Sequence, residues 1–167
     1  MSRPLRNGLI VAALHVAIVA SLGAKLVADR MTRPRVWARV APIDPDLPIR
    51  GRYVRLQLEV QPTDGLTVGR DSTYVAIDLA VRNETLVATP GTDTSDLTVR
   101  SILRQGEQVL ALTQPIAYFI PEHVEDPSTR APGEELWVEV TLPRRGSPRP
   151  IRLGVKKDGT LTPLDLR

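Results

Sequence analysis

His123 is the only histidine of this chain outside an apolar run near the N-terminus, and there is no cysteine. A multi-histidine or thiolate metal site, a disulfide and a cysteine nucleophile are therefore excluded. A Ser-His-Asp triad would have to join His123 to an unmarked serine, because no Gly-x-Ser-x-Gly turn is present. A Ser-Lys dyad, the device of some membrane-anchored β-rich peptidases, needs a lysine whose pKa is lowered by burial beside the nucleophile. Lys25, Lys156 and Lys157 are the only lysines. The first lies at the apolar run, and the other two precede an Asp158-Gly159 turn, where exposure is expected. Asp93 and Asp96 in the stretch PGTDTSD lack the Gly and terminal Glu of a calcium loop and read as a solvated turn. Asn83-Glu84-Thr85 matches a glycosylation sequon, a tripeptide common by chance. No glycine-rich phosphate loop occurs. The residue types favour recognition over catalysis, and no cofactor is expected.

The residues best suited to recognition sit on alternating strands. Val54, Leu56, Leu58 and Val60 alternate with Tyr53, Arg55, Gln57 and Glu59, the period of two expected when one face of a strand is buried. Arg50–Gln61 is thus the clearest strand. Tyr53 and Arg55 project from its polar face, where they suit stacking and bidentate contacts to a partner. The structural alternative is that Tyr53 packs over its neighbours and Arg55 pairs with a cross-strand acid such as Glu139. Val75, Ile77, Leu79 and Val81 form a second alternating set, and Leu136, Val138, Val140 and Leu142 a third, with Trp137 and Glu139 opposite. Shorter strands are expected at Val36–Val40, Leu86–Thr89, Leu97–Leu103, Gln108–Thr113, Ile116–Ile120 and Ile151–Lys157. Asp158-Gly159 then turns the chain into Thr160–Leu166, an edge strand because of Pro163. Pro90–Ser95, His123–Gly133 and Arg144–Pro150 read as connections.

Composition agrees with this reading. Aromatic residues make up only 4% of the chain, so the core must be built from Val, Leu and Ile, and 15 prolines with 11 glycines favour many short elements. Seven to nine short strands at such spacing indicate a small antiparallel β-sandwich or open β-barrel, preceded by a single helix.

That helix is expected at residues 9–28. Leu9–Val27 is apolar except for His15, Ser21 and Lys25. About 19 residues at roughly 1.5 Å each span about 28 Å, close to a bilayer core. The stretch exceeds a signal-peptide core of about 7–15 residues and lacks a clean Ala-x-Ala, so it reads as an uncleaved anchor. His15 fits a neutral imidazole tolerated in the helix. Residues 1–8 form a short basic tail, 29–40 a basic connector and 41–167 the β-rich domain. Residues 1–40 hold seven bases and one acid, which leaves 15 bases and 18 acids beyond them. The domain itself is mildly acidic, so nucleic acid is not expected as a partner. Orientation is divided. Arg30, Arg33, Arg35 and Arg39 after the helix favour a cytoplasmic domain by the positive-inside rule, whereas the short basic tail before it is signal-like.

The stretch DPDLPIRGRYVRLQLEV at 44–60 resembles the motif of the GDYXXLXY domain family, bacterial membrane-anchored proteins without an established activity. Asp44-Pro45, Arg50, Gly51, Tyr53 and Leu56 match, whereas Arg52 stands in the place of the family's Asp and Leu58 in that of its final Tyr. Tyr118-Phe119-Ile120-Pro121-Glu122 is similar to the family's Tyr-aromatic-aliphatic-Pro-Glu segment, with His123 replacing Gly. The resemblance covers most of the chain in order. It implies a membrane-anchored β domain on the extracytoplasmic side and supplies no catalytic residues. Arg52, Tyr53, Arg55, Tyr118 and Glu122 are the candidate partner-binding residues. The expected function is a non-catalytic interaction or accessory module of an envelope protein complex. It would be held in the lipid bilayer by residues 9–28, with a larger membrane protein as partner. A membrane-surface hydrolase or peptidase, or a small-ligand binder with a pocket between the Tyr53 and Tyr118 segments, is the alternative.

Overall fold

The structure is a computed structural model and describes residues 3–43, 53–66, 68–69, 74–92, 94–104 and 106–166. It comprises two compact units, residues 1–33 and 34–167.

The first unit is one helix, α1 (Arg3–Thr32). It is longer than the apolar run because Ala28, Asp29, Arg30 and Met31 are all compatible with a helix, and Pro34 ends it. The basic stretch after the apolar run is therefore divided between the last turn of α1 and the first strand. Leu5–Ala28 is long and apolar enough to cross a membrane, and none of it is buried. At about 1.5 Å per residue it measures roughly 36 Å, enough to span a bilayer with some tilt. Two polar side chains in the middle of the span bond within the helix. His15 Nδ1 lies 2.8 Å from the Val11 carbonyl and Ser21 Oγ donates to Ile18 O at 2.8 Å. Both contacts give these side chains a partner on the helix backbone itself.

Among its described residues the second unit has ten strands. In chain order they are β1 (Arg35–Ile43), β2 (Tyr53–Pro62), β3 (Val75–Arg82), β4 (Thr85–Pro90) and β5 (Leu97–Arg104). They continue as β6 (Glu107–Leu112), β7 (Ile116–Phe119), β8 (Glu135–Thr141), β9 (Arg149–Lys157) and β10 (Thr160–Pro163). The mainly β domain expected from alternation is present. Asp158 and Gly159 both take positive φ, 49° and 81°, as the hairpin between β9 and β10 requires. Asn83 and Glu84, at 49° and 59°, make the same kind of turn between β3 and β4, so the sequon lies in a hairpin tip. β10 ends the sheet path, which suits Pro163.

β2 is used twice. Its first half lies between β1 (Val40↔Leu58, Ile43↔Arg55) and β7 (Tyr53↔Phe119, Leu56↔Ile116). Its second half lies between β6 (Glu59↔Ala111) and β4, the latter a parallel pair (Gln61↔Val87). Pairing then runs from β4 to β3, β5 and β6 and returns to β2, closing a circuit of five strands. On the other side β1 continues through β8 and β9 to β10.

The buried face is aliphatic throughout. Leu56, Leu58, Ile77, Val99, Val138, Val140 and Leu153 are fully buried, and Val54, Val60, Leu136 and Leu142 nearly so. The alternating sets on β2 and β8 are therefore inward, and on β3 only Ile77 is fully enclosed while Val75, Leu79 and Val81 pack at the margin. Gly91 crosses this framework most closely. Its N–H donates to Ala76 O at 3.0 Å, and a Cβ added there would sit 2.7 Å from Ala76 C and Ile77 N. Backbone cannot yield as a side chain does. Gly91→Ala is expected to lower stability by about 1–3 kcal/mol in equilibrium denaturation of the detergent-solubilised chain. An unchanged midpoint would mean that the close approach is absent.

Candidate interaction surface

Residues directly opposite in an antiparallel pair share a face, so register assigns the outer surface. Tyr53 faces out beside Phe119, with ring centroids 6.0 Å apart and planes tilted by 48°. Arg55 lies opposite Ala117 on β7 and Ile43 on β1. Phe119 is the most exposed aromatic here, at 69%. Tyr118, one residue away, turns to the other face, pairs with Val54 and packs half-buried against the core. Tyr53 and Tyr118 thus occupy opposite faces of the sheet. Tyr118 lines a hollow with Ile151, Pro163 and Leu164. Glu122 is exposed in the turn after β7. Arg52 lies outside the described residues. The acid foreseen as a partner for Arg55 is engaged elsewhere: Glu139 accepts from Arg152 Nε at 2.7 Å.

The larger assembly of recognition-type side chains lies further along the same face, where β1, β2 and β8 run side by side and β5, β6 and β9 flank them. Both tryptophans of the chain are there. Trp37 pairs with Glu139, and Arg39 with Trp137, which places the two indoles at diagonal positions of β1 and β8. Each carries a cation: the Arg152 guanidinium lies 5.4 Å from the centroid of Trp37 and the Lys156 ammonium 4.7 Å from that of Trp137. Trp37 reaches across to Gly154 on β9, where an added Cβ would come within 2.8 Å of its ring and 3.1 Å of Thr162 O. The missing side chain of Gly154 is the seat of the ring.

An ionic chain runs beside the indoles. Arg104 on β5 donates to Glu59 on β2, whose other oxygen lies 3.8 Å from Arg39 Nε. Arg39 Nη2 reaches Glu135 at 2.7 Å, and the Trp137 indole N–H donates to Glu135 at 3.2 Å. Burial and the nearby Arg39 hold the Arg104 guanidinium below its ordinary pKa, and Glu135 opposes them. Glu59 is only 11% exposed, and two arginines compensate its desolvation. The chain of contacts links the closed circuit, through β5, to the β1–β8 side of the sheet.

Trp37, Arg39, Glu59, Glu135, Trp137 and Lys156 line a groove of about 470 Å³, which also takes in the exposed Glu107 and Gln108. Its floor is aromatic and aliphatic and its walls carry both charge signs. The two lysines relevant to a Ser-Lys dyad are engaged, Lys156 over Trp137 and Lys157 with Glu134 at 3.5 Å. Among the described residues no group of three or more His, Asp or Glu side chains is placed to hold a metal ion. The sequence signal for the groove was the pair of tryptophans; Trp37 and Arg39 fall in the expected strand Val36–Val40, at the end of the basic stretch that read as connector. Comparison of the chain with protein-family models, curated proteins and solved structures finds no match.

Gly154→Ala is expected to drive Trp37 off its seat. In a Trp137→Phe background, where Trp37 is the sole emitter, its fluorescence should shift to the red and stability should fall by about 1–2 kcal/mol. Unchanged emission would remove Gly154 as the support of the groove.

Proposed function

We propose that this chain is a membrane-tethered, non-catalytic interaction module: α1 lies in the bilayer and the β domain docks on a larger membrane protein through the Trp37–Trp137 groove. The observation that carries this reading is the placing of both tryptophans on one open sheet face, each held by a cation and rimmed by paired charges. Tryptophan, tyrosine and arginine are the side chains that dominate binding energy at protein interfaces. Here their geometry is fixed in advance by Gly154, Glu135 and Glu139, which reduces the ordering a partner must impose. The Tyr53–Phe119 pair with Arg55 supplies a second aromatic contact on the same side of the sheet. The resemblance to GDYXXLXY proteins supports an envelope location, with the domain on the extracytoplasmic side.

The groove also has the volume of a small-molecule site, whose range is about 300–1,000 Å³. A small envelope ligand is the second reading, and the same experiment separates the two. The full chain, tagged at the C-terminus, is purified from detergent-solubilised native membranes. A stoichiometric membrane protein should accompany it and should be lost from the double variant Glu107→Arg, Gln108→Arg, which alters only exposed rim residues. Recovery of the chain alone at native abundance counts against a protein partner, and a co-eluting small molecule lost from the same variant moves the assignment to the second reading. A topology reporter fused after Arg167 is expected to be active only outside the cytoplasm, and a cytoplasmic signal removes the envelope part of the proposal.

A further inference from the structure

The β domain begins at Pro34, two residues after the last residue of α1. A trans peptide advances the chain by at most about 3.6 Å per residue, so Arg35 at the start of β1, three residues after Thr32, lies within roughly 11 Å of the end of the helix. Whichever residues of the domain surround the start of β1 are therefore its bilayer-proximal residues if α1 spans the membrane.

The sheet register identifies them. Arg35 pairs with Thr141 at the end of β8, and Thr141 pairs with Arg149 at the start of β9. The N–H of Leu142 donates to the Pro34 carbonyl at 3.2 Å, which ties the β8–β9 connection to the point of entry. That connection reads Pro-Arg-Arg-Gly-Ser-Pro at 143–148. Pro148 is buried, and Gly146 takes a φ of 84° that allows the tight return. Prolines at both ends and a fixed turn between them hold Arg144 and Arg145 outward on a short, constrained loop. Arg35, Arg144, Arg145 and Arg149 are all exposed. Among the described residues, Arg144, Arg145 and Arg149 enter no ion pair. Two acids approach the group, Asp78 and Asp96, which share a hollow with Arg144 and Arg145. The Asp78 carboxylate already accepts from Ser95 Oγ at 2.8 Å. Arg144, Arg145 and Arg149 against these two carboxylates leave this end of a nearly neutral domain positive. Further along the outer face Arg39, Arg104 and Arg152 are engaged with Glu59, Glu135 and Glu139.

We infer that the Arg35–Arg144–Arg145–Arg149 rim is a docking surface for anionic phospholipid headgroups, which holds the β domain against the bilayer at its β1 end. The inference rests on α1 being a membrane anchor. Guanidinium groups bind phosphate oxygens in a fixed, paired geometry, and juxtamembrane arginines are drawn to a negatively charged leaflet over about one Debye length. Contact at one end of β1 and β9 leaves the far end of β9, and the groove residues Trp137 and Lys156, directed away from the headgroups, because β9 runs from Arg149 to Lys157. The rim would thus orient the groove for a membrane partner as well as attach the domain.

The absence of cysteine makes the test simple. The full chain carrying Ser147→Cys is labelled with a fluorophore and reconstituted in nanodiscs containing headgroup-nitroxide lipid; Thr160→Cys, beyond the far end of β9, is the control. In nanodiscs with one third phosphatidylglycerol, quenching of the label at 147 should be about threefold or more that in phosphatidylcholine alone, and the label at 160 should be little quenched in either. Replacing Arg144, Arg145 and Arg149 by Gln, or raising salt to roughly 0.5 M, should bring quenching at 147 down to its phosphatidylcholine level. Equal quenching at 147 in the two lipids, with the chain integrated in the disc, overturns the headgroup inference alone. Failure of the chain to integrate overturns the anchor reading on which it rests. If inorganic phosphate, at an ionic strength matched with chloride, abolishes the difference between lipids, the rim is a site for free phosphate and the lipid assignment falls.

Discussion

One strand carries both halves of the β domain. β2 gives Val54, Leu56, Leu58 and Val60 to the interior and Tyr53, Arg55, Gln57 and Glu59 to the other side. Its first half completes the β1–β7 side of the sheet and its second half closes the five-stranded circuit. Because the side-chain period of a strand is two, a slip of one residue would turn every aliphatic side chain outward and bury Glu59 and Arg55. The register of β2 is therefore specified from both ends, and the position of every other strand follows from it. Gln57 shows the tightness of the arrangement. It lies on the polar face and is nonetheless buried, and its amide donates to Leu112 O at 3.1 Å, so desolvation is compensated by a hydrogen bond.

The outer face of the same strand explains the clustering of recognition residues. Glu59 lies where the closed circuit meets β1, and it draws Arg104 from one side and Arg39 from the other. Arg39 passes the interaction to Glu135, which orients Trp137 through the indole N–H. Attraction between partly buried charges is offset by the cost of taking them out of water, so the network is a weak source of stability. Its stronger effect is geometric: it fixes the direction of four long side chains around an aromatic floor.

Much of the architecture was legible because alternation is a local property. The aliphatic sets of β2 and β8, the Asp158-Gly159 hairpin, the edge position of Pro163 and the N-terminal apolar helix all follow from residue order. The closed circuit did not follow, because it depends on a parallel pair between the end of β2 and β4 that no neighbouring residues encode. The recognition surface was half legible. Tyr53 and Arg55 stand on the outer face as alternation requires, but adjacent Tyr118 and Phe119 fall on opposite faces, and the exposed member is Phe119. Trp37 and Arg39 lie in a run of basic residues after the helix, where charge suggested a connector and the alternation that marks Val36–Val40 as a strand is short.

The dependence of both halves on β2 can be measured directly by hydrogen exchange of the full chain in nanodiscs. Amides of residues 54–60 should exchange slowest in the domain and together, at the rate of global unfolding, whereas those of β10, at the end of the sheet path, should exchange far sooner. Exchange of the first half of β2 well before its second half would show two independently opening sheets and contradict the shared strand on which this account is built.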